Sequence, residues 1–272
     1  TAGGGRGGVP GTKWDRFDWI VRGGTVVDGL GEEGVRADVG LAGDRIAAVG
    51  DLAQAAAANE FDATDRLVCP GFIDVHTHSD AYLLIEPGAP SKIRQGVTTE
   101  ITGNCGASAA PRWPGYTMPS DWLEQKYPGD WHSVAEYRAM LAAQKPAVNS
   151  AMLLGHRAIR AAVMGIETRA ATSDEIARMA KLLEQALEEG GAGLSTGLVY
   201  APAMHARPEE IQARATVVAK RGGIYATHMR SEGGALLEAI EEALDVARAS
   251  GVRLQISHLK TAGRANWGKL DA

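Results

Sequence analysis

Phe72-Ile73-Asp74-Val75-His76-Thr77-His78 is the stretch that decides the fold. An apolar, β-branched run ends in two histidines two residues apart. On an extended strand, side chains at i and i+2 point to the same side, about 6.6 Å apart along the backbone. Two imidazoles so placed at a strand end can converge on one ion, and imidazole is a common zinc ligand. A His-x-His alone is equally well explained by packing or by an ordinary surface. Its weight comes from Cys105, His228 and His258 farther along the chain.

Working outward from this stretch, six short apolar runs recur after Pro70. They are Phe72–Val75, Val97–Thr102, Val148–Leu154, Ala192–Ser195, Gly223–Thr227 and Val252–Ser257, and most are followed by a helical pattern. The strongest helix is expected over Asp174–Glu189. Ile176, Met179, Ala180, Leu183 and Leu187 give it an apolar stripe, and Thr172 with Glu175 forms a capping box. Pro208 opens another helix, and a third, marked by Leu236-Leu237, Ile240 and Leu244, stops at Gly251. Strands alternating with helices imply a parallel α/β sheet. Arg112 to Trp131, rich in Pro and Trp, breaks the rhythm and reads as an inserted loop near the active face.

Upstream, Phe17 to Leu67 reads as short strands. Trp19–Val21, Thr25–Val27, Val35–Leu41 and Arg45–Val49 are separated by Gly-Gly, Asp-Gly and Gly-Asp turn signals. Leu52–Ala58 carries the one helical signal here. The domain reading is a glycine-rich disordered tail over 1–13, a small β subdomain over 14–69, and β/α units over 70–272. The tail, with Gly3-Gly4-Gly5-Arg6-Gly7-Gly8, cannot bury a core.

An open doubly wound sheet and a closed (β/α)8 TIM-type barrel both fit the alternation. The histidines and the cysteine choose between them. His76, Cys105, His228 and His258 each sit at or just beyond the carboxyl end of a different strand, and a barrel gathers those ends into one ring. An open sheet would spread them along a line. The barrel is expected. Six strand units are present where a barrel takes eight and about 250 residues. The expectation is therefore an incomplete barrel, with a second polypeptide or a missing C-terminal half supplying the rest.

The whole-chain properties narrow the function. With 272 residues, 45% of them hydrophobic, the chain can bury a large core. Net charge is −5, and no basic stripe appears, which argues against nucleic acid or anionic membrane as partners. The two cysteines, Cys69 and Cys105, form no disulfide framework, so a reducing, cytoplasmic setting is expected. Thr1 reads as a processed or trimmed start, and a removed secretory leader would have left no trace.

Cys105 lies in Thr102-Gly103-Asn104-Cys105-Gly106, a tight turn after a strand, where a thiolate is a strong zinc ligand. His228 and His258 stand 30 residues apart, about one strand-helix repeat, and so at one level on adjacent strands. Together with His76 and His78 they read as a metal site. His156, ending the third run, could serve substrate or support a ligand, or be structural. Lys260 falls on the His258 face if its strand continues, placing an anchor for an anion. Arg230 and Glu232 read as a local charge pair.

Several segments resemble the amidohydrolase superfamily, and within it the D-aminoacylase (N-acyl-D-amino-acid deacylase) family. They include Pro70-Gly71-Phe72 through Asp80, Gly96-Val97-Thr98-Thr99, Gly103-Asn104-Cys105-Gly106 and Gly193-Leu194-Ser195-Thr196-Gly197-Leu198-Val199-Tyr200. Ala226-Thr227-His228-Met229-Arg230 and Ile256-Ser257-His258-Leu259-Lys260 belong to the same set. The resemblance implies one tightly bound zinc on Cys105, His228 and His258, and a weaker second metal position using His76 and His78. It implies substrate contacts from Tyr200 and Lys260. It also implies a general-base aspartate and a carboxylate-binding arginine, both beyond Ala272. The activity it implies is zinc-dependent hydrolysis of N-acyl-D-amino acids to a free D-amino acid and a carboxylic acid. A cyclic-amide or other N-acyl-amine hydrolase, and an inactive half-barrel or interaction subunit, remain open alternatives.

Overall fold

A computed structural model describes residues 16–114 and 116–271. The glycine-rich tail lies outside the described residues. The chain divides into two compact units, Thr1–Gly71 and Phe72–Ala272.

The first unit holds β1 (Phe17–Val26), β2 (Val35–Ala42), β3 (Arg45–Gly50), β4 (Ala57–Asp62) and β5 (Leu67–Val68). Their order is β3-β2-β1-β4, with β5 pairing the far end of β1. Two expectations change here. Gly23-Gly24 is no turn between two strands. It is an irregularity inside one continuous β1, where Gly23 takes φ +67° and the pairing with β2 shifts register. Leu52–Ala58 is no helix either. The Arg22 guanidinium takes the carbonyls of Leu52 and Ala55 at 2.7 and 3.0 Å, and Ala57 enters β4 beside β1. Tertiary pairing thus overrides the helix preference of the alanines.

The second unit begins with β6 (Phe72–Asp74), α1 (Pro90–Ile93), β7 (Val97–Thr102), α2 (Ser120–Leu123) and α3 (Val134–Gln144). β8 (Asn149–Gly155), α4 (His156–Met164), α5 (Ser173–Glu188) and β9 (Gly193–Gly197) follow. α6 (Pro208–Lys220), β10 (Ile224–His228), α7 (Leu236–Ser250) and β11 (Arg253–Ile256) complete the set. The six expected runs all became parallel strands, paired in sequence order from β6 to β11. α5 carries the expected capping box, and Pro208 opens α6. β9 is buried at every residue, as a parallel strand covered on both faces should be. The Pro- and Trp-rich segment is anchored rather than free, since Trp122 and Trp131 are buried in the core.

One distance decides between open sheet and barrel. β6 and β11 are the outermost strands of the order, five steps apart. A flat sheet would separate them by about 24 Å, at roughly 4.8 Å per step. Yet His76, just after β6, and His258, just after β11, have ring centroids 5.0 Å apart. Two side chains cannot span such a gap. The sheet therefore curls as part of a barrel, which brings its outer strands round to one rim.

Candidate metal centre

Most of the rim is built from loops beyond the strand ends. β6 ends at Asp74, so His76 and His78 lie past it, and strand alternation is not what joins them. Their rings nevertheless meet edge to face at 5.4 Å. Cys105 follows β7 through Gly103, whose φ of +73° only glycine adopts easily. A Cβ there would stand 1.9 Å from the Leu153 carbonyl oxygen. Buried Ser195 of β9 clamps this turn. Its hydroxyl donates to the Gly103 carbonyl and accepts the Gly106 N–H. His228 is the last residue of β10, and His258 lies two residues beyond β11.

The donor atoms converge. His76, His78 and Cys105 form one group whose ligand atoms lie within 4.8 Å of one another, and Cys105, His228 and His258 form another. Cys105 Sγ is shared, 3.4 Å from His76 Nε2 and 3.5 Å from His258 Nε2. The His228 and His258 rings are 4.2 Å apart. Cys105 and His258 also hold φ of +54° and +37°, a left-handed backbone costing about 1–3 kcal/mol each.

Electrostatics prepare the histidines for a cation. Burial, and then the neighbouring His258, push His76 down to about 4. Burial also lowers His78 and His228. Neutral imidazole is the form that ligates. Burial, followed by the Glu232 charge, pushes the Cys105 thiol up to about 11. A dication bound here would reverse that balance and hold the thiolate. A soft sulfur with several imidazoles is the donor chemistry zinc prefers, so the residues fit the metal.

Around the cluster, Tyr200 Oη lies 3.4 Å from His228 Nδ1. A cavity of about 360 Å³ adjoins it, lined by His78, Cys105, Tyr200, Asp121, Trp122 and Arg157. Asp121 and Trp122 come from the segment expected near the active face. Lys260 arrives by another route than expected, because the strand does not continue past Ile256. Its ammonium is held by Glu232 at 2.6 Å. Glu232 was the residue the sequence reading missed. Arg230 pairs with Glu242 at 2.7 Å, while Glu232 reaches His258 Nδ1 at 2.6 Å. Its signal was the four-residue step from His228 in a loop at the strand mouth.

His156 is not brought to this group. It is fully buried, with Nε2 3.1 Å from Glu210 and 3.0 Å from Arg214. It opens α4 rather than projecting from the strand end, which turns it toward α6.

Residues 59–270 match the Amidohydrolase family. The chain belongs to that family. It is 46% identical to a D-aminoacylase of Alcaligenes xylosoxydans xylosoxydans over 93% of this chain and 52% of the relative. It superposes on a solved D-aminoacylase, an enzyme with a binuclear metal centre, at a TM-score of 0.88 and 45% identity. That match covers 94% of this chain and 54% of the other. An N-acyl-D-glutamate deacylase from Bordetella bronchiseptica, solved with zinc and a phosphonate inhibitor, matches at 0.88 and 38% identity, with the same coverage. This amidohydrolase chain spans about half the length of the relatives it matches. Among its described residues, no helix is long and apolar enough to cross a membrane.

Proposed function

We propose that this chain carries the metal-binding part of a hydrolase that cleaves the amide bond of N-acyl-D-amino acids, releasing a D-amino acid and a carboxylic acid. The observation that carries the reading is the meeting of Cys105, His228 and His258 from three distant strands. The likeness to D-aminoacylase supports the substrate class. Cys105, His228 and His258 would hold one zinc ion, and His76 and His78 would contribute to a second, weaker position. When bound, zinc lowers the pKa of a water to about 7 and polarises an amide carbonyl. Lys260, half exposed beside the cluster, anchors the substrate carboxylate. Tyr200 donates its hydroxyl toward the reacting carbonyl.

The general-base aspartate implied by the resemblance would come from a further β/α unit. Phe72 and Ile73 of β6 are 58% and 61% exposed, an apolar edge that a closed barrel would cover. We infer that further units, in the same or a second polypeptide, cover it. Cytoplasmic residence belongs to the same proposal, since Cys69 and Cys105 are both free thiols.

Metal analysis with a substrate panel tests the reading. The full-length enzyme is expected to hold zinc and to release amino acid from N-acetyl-D-amino acids. Cys105→Ala should lose the tight zinc and at least about a hundredfold in kcat/KM. Cleavage of the L-series alone would overturn the stereochemistry, and turnover of hydantoins instead would move the enzyme to cyclic amides.

A further inference from the structure

We propose that Glu232 is a positioning residue, one carboxylate that aims the His258 imidazole at the metal and holds the Lys260 ammonium. The proposal rests on the metal reading above and adds a residue to it. Glu232 Oε1 lies 2.6 Å from His258 Nδ1 and 3.5 Å from His228 Nε2, and Oε2 lies 2.6 Å from Lys260 Nζ. Both oxygens are thus engaged, on a side chain only 13% exposed. With Nδ1 donating to the carboxylate, the other ring nitrogen is left free, and Nε2 is the atom 3.5 Å from Cys105 Sγ.

No regular element does this aiming. β11 stops at Ile256, and His258 sits at φ +37°, so its backbone does not dictate where the ring points. The carboxylate supplies what the strand does not. The loop that carries Glu232 is itself braced against the loop after β11. Its carbonyl accepts the Ala262 N–H at 2.6 Å, and Lys269 donates to the Gly233 carbonyl at 3.0 Å. A carboxylate behind a ligating imidazole fixes its tautomer and raises its basicity, and loss of such a partner typically costs 10–100-fold in metal affinity. The Lys260 ammonium keeps the carboxylate in place while its remaining donors stay available, since the lysine is 53% exposed. One residue would then link the metal ligand to the group that meets the substrate anion.

Zinc affinity, read by competition with a chromophoric chelator on the full-length protein, tests this without an activity assay. Glu232→Ala is expected to bind zinc about 10–100-fold more weakly, with its metal-free circular dichroism unchanged. Glu232→Gln, whose amide oxygen still accepts from His258, should lose less. Lys260→Met should stay within about threefold of the unaltered protein, because it touches only the far oxygen. In the cobalt-substituted protein, both Glu232 variants should shift the ligand-field bands, and Lys260→Met should not. Equal zinc affinity in Glu232→Ala overturns the proposal. Should that variant not fold, an unchanged cobalt spectrum in Glu232→Gln overturns it instead. Absence of stoichiometric zinc from the unaltered protein overturns the metal reading, and this assignment with it.

Discussion

Two carboxylates in the second unit are buried alike and behave oppositely. Glu210 on α6 is 1% exposed and Asp80, just after the His76–His78 stretch, is 0% exposed. Burial raises both. At Glu210 the hydrogen bond from His156, the Arg214 charge and the hydrogen bond from Arg160 together outweigh it and hold the carboxyl down at about 2. At Asp80 burial wins and, with buried Glu100 adding to it, lifts the carboxyl to about 7. Backbone N–H groups, among them that of Ala109 at 3.3 Å from Oδ2, oppose the rise without overcoming it, and among the described residues no cation stands against the carboxyl to hold it charged. The lesson is that depth alone does not set charge state. Partners do: two buried arginines hold Glu210 charged, while burial without such a cation lifts the Asp80 carboxyl.

The sharpest way to break the comparison is to remove the charge at Glu210. Arg160 lies 2.7 Å from one of its oxygens and Arg214 2.7 Å from the other, both guanidinium groups buried. Glu210→Gln leaves two buried cations without a counter-charge, which costs about 3–5 kcal/mol. For a unit of this size that lowers the melting temperature by roughly 6–20 °C. Zinc stoichiometry in whatever fraction remains folded should not change, because none of these side chains reaches the rim. A variant melting within about 2 °C of the unaltered protein would show that the cluster is not electrostatically coupled.

Acid sharpens the contrast next. Burial, and then the Arg214 charge, push His156 down to about 4, against 6.5 for a free imidazole. Between those values the unfolded chain binds a proton that the native state refuses. The stability is therefore full above pH 6.5 and is lost as pH falls toward 4. The slope is about 1.4 kcal/mol per pH unit for one proton. Glu210 adds to it in the same sense from 4.5 down to about 2. The rim histidines, also lowered, act in the same direction. The decisive measurement is thus a difference: denaturant midpoints across pH 4–7 for His156→Asn should fall less steeply by one proton than those of the unaltered chain. Parallel curves would remove His156 from the account.

These regions also show where sequence stops being informative. β7 appeared at its observed bounds, and α5 with its capping box, because period and caps are written locally. His76, Cys105, His228 and His258 could be gathered in advance because each follows a strand, and parallel strands put such positions on one side. What could not be read came from distant segments. His156 looked like a rim residue until Glu210, 54 positions later, and Arg214 enclosed it. Glu232 looked like the partner of Arg230 until His258 and Lys260 arrived from the next strand. Leu52–Ala58 looked helical until Arg22 took its carbonyls. In each case the periodicity was sound and a tertiary contact outweighed it.

The solitary carboxylate gives the most diagnostic test. Asp80 has its folded pKa raised, from 3.8 to about 7, so its sign is opposite to that of His156. Between those values the native state keeps a proton that the unfolded chain has lost. Its contribution is complete below 3.8 and disappears as pH rises through 7. It therefore offsets part of the histidine slope in the unaltered protein. Asp80→Asn keeps the shape and removes the titration. Near pH 4 the native carboxyl is protonated and resembles the amide, so the substitution should cost little there. Toward pH 7, where the native carboxyl is near half-protonated, the variant should be the more stable of the two. Its stability curve should climb more steeply from pH 4 to 7, by up to about 1.4 kcal/mol per unit. His156→Asn flattens the curve and Asp80→Asn steepens it. If both shifted the curve in the same direction, the two buried groups would not differ in charge state, and the contrast between the arginine-bound carboxylate and the solitary one would fail.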